Sequence, residues 1–126
     1  MVWRGIFGAA MADPLIVEAA DAADLARCGA QLIADAIRAR PQAAVLVATG
    51  NSPMATYVEL DHMRQRGELD SSGVRPYQLD EYLDLGPDDP RSLASWMRRS
   101  FTGPLGISDD RVTWLEVEAD IEAGCA

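Results

Sequence analysis

Residues 43–53 read AAVLVATGNSP, and their reading decides the fold. From Ala43 to Ala48 the run is apolar almost without interruption. A strand buried on both faces of a parallel sheet has that pattern, whereas a strand with one wet face alternates. Thr49-Gly50-Asn51-Ser52 is turn chemistry, and Pro53 suits the first helical position, where no N–H is needed. A buried strand, a tight turn and a helix start in direct succession form one half of a βαβ unit.

Working outward, the pattern repeats. Residues 14–18, PLIVE, predict a strand. Asp21 offers an N-cap oxygen for a helix over Ala22 to Arg40. Its larger apolar residues, Leu25, Leu32, Ile33 and Ile37, fit one face at helical spacing, and Pro41 stops it. The helix after the turn runs to about Arg66 and closes at Gly67. Val74 to Leu79 predicts a further strand, against which Pro76 argues. An acidic loop spans Asp80 to Pro90. A helix follows from about Arg91 to Phe101, with Leu93, Trp96, Met97 and Phe101 on one side as core, and Gly103-Pro104 breaks it. Val112 to Val117 reads as a last strand. The alternation predicts an α/β fold with a doubly wound, mostly parallel, Rossmann-like sheet. That sheet is expected to be incomplete at the C-terminus, since Glu122 to Ala126 follows directly on a strand. Residues 1–12 read as a disordered extension.

Composition removes several function classes. The 126 residues carry a net charge of -9, which argues against a nucleic-acid surface. All 11 basic residues are Arg, so the chain has no lysine for a Walker-type phosphate loop, a Schiff base or pyridoxal chemistry. One histidine, His62, cannot build a multi-histidine zinc site. No apolar run approaches the roughly 18–20 residues needed to span a bilayer. Cys28 and Cys125 lie far apart without metal spacing and read as reduced thiols of a cytoplasmic protein, with Cys28 buried.

Two places can carry chemistry. The turn Thr49-Gly50-Asn51-Ser52 stands at the carboxyl end of a strand and the positive end of a helix, which suits a phosphate. Gly50 lets the backbone approach a ligand and the Ser52 hydroxyl can donate. The same residues also read as a plain turn with Ser52 as N-cap. Asp80 and Glu81 follow the next strand and so reach the same edge. A carboxylate there can serve as general base on a sugar phosphate, or simply be a solvated acid among Asp84, Asp88 and Asp89. His62 reads as a surface residue near a helix end, and Arg98-Arg99 as a solvated helix end.

Three segments together resemble the glucosamine-6-phosphate deaminase (isomerase) family of the 6-phosphogluconolactonase superfamily. They are ATGNSPMATY at 48–57, LDEYL at 79–83, and PDDPRS at 87–92 with Trp96-Met97. The likeness continues through Phe101, PLGI at 104–107 and the closing strand, over about residues 14–126. Tyr82 stands where the related lactonases usually carry Arg, which favours the deaminase branch. The resemblance implies conversion of glucosamine 6-phosphate and water to fructose 6-phosphate and ammonia, with no cofactor and no metal. It implies that Gly50, Asn51 and Ser52 hold the substrate phosphate and that Asp80 is the base moving a proton between C2 and C1. Thr49 and Glu81 would support that site.

The family is about twice as long, and its second half carries a Gly-His motif that this chain lacks. His62 does not match it. Residues 13–126 therefore read as the N-terminal portion of one domain, expected to be weak or inactive alone. A homo-oligomer or a complementing C-terminal chain would be its partner, beside the small-molecule sugar phosphate. A lactonase-like hydrolase and a non-catalytic sugar-phosphate-binding module are the competing readings.

Overall fold

The computed structural model describes residues 16–116. The expectations for 1–12, for Pro14-Leu15, for Val117 and for Glu122 to Ala126 lie outside the described residues. Helix α1, Ala22–Ala39, starts on Asp21, whose side chain accepts from the Asp24 N–H at 2.7 Å. The Asp24 carboxylate reaches back to the Ala20 N–H at 3.0 Å. One orphan donor of the helix start is thereby satisfied, and the residue before the cap is tied to the first turn.

Strand β1, Ala44–Val47, leads through the turn into helix α2, Met54–Gln65. Gly67 closes α2 with a positive φ of 73°, a conformation that favours glycine. Strand β2, Arg75–Gln78, pairs parallel to β1 with Leu46 opposite Tyr77. Pro76 is tolerated because its carbonyl faces a third segment, where it accepts the Thr113 N–H at 2.9 Å. The donor it lacks would face the same side, before pairing begins at Thr113. Helix α3, Leu93–Met97, is capped by Ser92 and runs on as a π turn over Arg98–Thr102. Gly103 closes that turn by donating to the Arg98 carbonyl at 2.9 Å.

The core gathers Ala30, Ala34 and Ile37 of α1, Val47, then Tyr57, Leu60 and Met63 of α2. Leu69, Val74, Met97, Phe101, Leu105, Ile107 and Val112 complete it. Tyr57 meets Phe101 edge to face at 4.7 Å between ring centroids. Met97 and Phe101 are core as expected, and Trp96 packs against them half-buried.

Five expectations change. Ile16 to Glu18 forms no strand. Leu25 and Leu32 are 61% and 49% exposed, while Ala26, Ala30, Ala34 and Ile37 are buried. The seam against α2 is made of small residues so that the helices approach closely, with Gly29 set against Thr56. Leu25 lies one residue, about 100° of turn, off that seam. Strand β1 is buried on one face only, since Leu46 is 63% exposed. Cys28 is half-buried rather than enclosed. Of the last strand, only Thr113 pairs among the described residues.

Candidate functional site

The carboxyl ends of β1 and β2 lie side by side because the two strands are parallel and in register. That alone brings the turn after Val47 and the loop after Gln78 to one edge. Gly50 has φ 93°, and open space surrounds the position a side chain would take. Glycine is thus required there by backbone conformation, and the space over it is open to a ligand. Ser52 is not the cap of α2. Pro53 holds that place and no side chain caps the helix. The N–H groups of Ala55 and Thr56 have no backbone partner among the described residues. Gly50, Asn51, Ser52 and Asp80 are all exposed.

A hydrogen bond joins the two motifs. The Thr49 hydroxyl donates to the Asp80 carboxylate at 3.3 Å, across 31 positions of sequence. Behind the turn, the Tyr57 hydroxyl donates to the Ala48 carbonyl at 2.9 Å. Burial pushes the Tyr57 phenol above its ordinary value, so it stays a neutral donor. Sequence reasoning missed Tyr57. The only local signal was an aromatic residue in the first turn of the helix that follows the strand.

Glu81 differs from its neighbour. Its Oε1 accepts the N–H groups of Tyr82 and Leu93, each at 2.8 Å. Its Oε2 accepts the Ala94 N–H at 2.8 Å and the Gln78 side-chain amide at 2.9 Å. Burial alone would raise its pKa, but these hydrogen bonds outweigh burial and hold the carboxyl below its ordinary range. A cavity of about 480 Å³ adjoins Glu81, between Ala94, Arg98 and Trp114. Arg98 is pinned there by Asp109 at 2.9 Å and stacks on Trp114 at 4.5 Å, so it is no free helix-end charge. A larger concavity of about 620 Å³ lies at the opposite end of the strands, against Arg40 and Arg75, away from Asp80. His62 is exposed on α2, 3.8 Å from Glu59, and is not brought to the strand ends.

No family model matches the chain. Individual relatives do. The chain is 37% identical over 105 residues to a glucosamine-6-phosphate deaminase of Streptomyces coelicolor, covering 79% of this chain and 40% of that protein. It is 34% identical over 112 residues to one of Beutenbergia cavernae, covering 88% of this chain and 43% of that protein. It therefore spans about two fifths of the length of the curated relatives it matches. Among solved structures, a monomeric glucosamine-6-phosphate deaminase superposes with TM-score 0.77 at 30% identity, covering 83% of this chain and 44% of that one. The 6-phosphogluconolactonase of Trypanosoma brucei superposes with TM-score 0.65 at 21% identity, covering 88% and 43%, a likeness of fold alone. In sequence and in its Rossmann-like fold, the chain matches the N-terminal half of glucosamine-6-phosphate deaminases.

Proposed function

We propose that this chain supplies the phosphate turn and the general base of a glucosamine-6-phosphate deaminase. The observation that carries the reading is the Thr49–Asp80 hydrogen bond, which sets a carboxylate beside an open helix start. The phosphate of the open-chain sugar sits against Gly50, Asn51 and Ser52, where unpaired N–H groups and the helix dipole favour an anion. Anchoring the phosphate holds C2 near Asp80. Asp80 takes the C2 proton and returns it to C1, giving an enolamine on the way to the ketose. Water replaces the nitrogen, and ammonia leaves. The sugar-phosphate substrate class fits a cytoplasmic enzyme. The identities to deaminases, against fold likeness alone to the lactonase, favour deamination over lactone hydrolysis.

The test is ammonia release from glucosamine 6-phosphate by this chain combined with the C-terminal portion of a matched deaminase. Asp80→Asn should lower kcat by about 10²–10⁴-fold, the usual worth of a positioned base. Lactone hydrolysis without ammonia release would overturn the reading. Binding without turnover in any form, unchanged by Asp80→Asn, would make the chain a sugar-phosphate-binding module.

A further inference from the structure

Glu81 and Gln78 form a connection that the reaction itself does not call for. Gln78 is 4% exposed. Its side-chain oxygen accepts the Leu115 N–H at 3.0 Å. Its side-chain nitrogen donates both to the Asp80 carbonyl and to Glu81, each at 2.9 Å. Glu81 in turn holds the first two N–H groups of α3. One amide and one carboxylate thus tie three pieces of chain together: the loop after β2, the start of α3, and the third segment. Asp80 lies between them, held at its own carbonyl by Gln78 and at its carboxylate by Thr49.

We propose that Glu81 is a positioning residue whose carboxylate, clasped by Gln78 and the start of α3, fixes Asp80 beside the phosphate turn. The catalytic consequence rests on the deaminase reading above, whereas the clasp itself does not. Four donors converge on two oxygens, so the site requires an acceptor on both arms. The isosteric Glu81→Gln keeps one oxygen and turns an NH₂ group toward donors. An amide placed there meets N–H groups it cannot accept.

The experiment compares wild type with Glu81→Gln by amide hydrogen exchange and chemical shifts on the chain, and by kinetics on the chain combined with the C-terminal portion of a matched deaminase. The expected result has three parts. Exchange at Leu93 and Ala94 rises about 10- to 100-fold, as for the loss of bonds to a charged acceptor. Shifts move at Asp80 and Thr49, while Leu60 and Phe101 in the core keep theirs. With glucosamine 6-phosphate, kcat falls by about 100-fold, as a displaced catalytic group predicts, while KM stays within about twofold. Unchanged exchange and unchanged Asp80 shifts would overturn the proposal. So would shifts spread through the core, which mark a residue needed only for folding. An unequal outcome, with the clasp lost but kcat intact, would overturn the positioning role. Should wild type release no ammonia, the deaminase reading fails separately, and the exchange and shift data still decide the clasp.

Discussion

At the scale of single residues, the site depends on backbone conformation as much as on side chains. Gly50 shows this most directly. Its φ of 93° disfavours any L side chain, although there is room for one. Gly50→Ala should cost about 1–2 kcal/mol through backbone strain alone. Denaturant unfolding of the two proteins measures it. Substrate affinity should fall too, because the added methyl occupies the space over the turn. The turn and Asp80 were legible in the sequence because turn chemistry is local and strand ends are easily located. Glu81 was legible only as an acid at the right edge. Its partners Leu93 and Ala94 lie 12 and 13 positions away, and nothing in the local pattern shows that α3 begins within reach.

At the scale of elements, the helix-to-helix seam separates two kinds of alanine and leucine. Ala34 is fully buried where α1 meets α2, and Leu32 is half-exposed. Ala34→Leu should therefore destabilise by about 1–3 kcal/mol through overpacking. Leu32→Ala should stay within about 0.5 kcal/mol, as at an ordinary surface position. Thermal or denaturant melts of both variants decide it, and the reverse order would refute the packing. Periodicity predicted α1 correctly as an amphipathic helix, yet it chose the face by side-chain size. Ile33 and Ile37 do face the core, but close approach at Gly29 and Thr56 leaves Leu25 and Leu32 outside, because a small residue is what a near neighbour selects. Strand β1 was misread in a related way. An apolar run states that both faces are compatible with burial, and the described residues cover only one of them. The parallel direction of β1 and β2 came through, since parallel pairing follows from strand–helix alternation.

At the scale of the whole molecule, acid is the condition to which the chain should be most sensitive. Asp24, Glu68, Asp70, Glu81 and Asp89 are all held below their ordinary values by hydrogen bonds. Asp89, which accepts from the Arg91 guanidinium twice and from its backbone N–H once, is lowered to about 2. A carboxyl lowered in the folded state stabilises fully above its unfolded value and loses that contribution as pH falls through the folded one. The melting temperature should accordingly hold near neutrality and fall from about pH 4.5 downward. A melting temperature that rises on acidification would contradict these assignments. The same net charge bears on the sheet face that the described residues leave uncovered, where Leu46, Tyr77, Leu79 and Leu115 are exposed. A particle with one oily side and a charge of -9 is an amphiphile held in dispersion by its own repulsion. Its colloidal behaviour is thus governed by ionic strength. At 0.1 M salt the repulsion reaches only about 10 Å, and the oily sides of neighbouring particles can then meet.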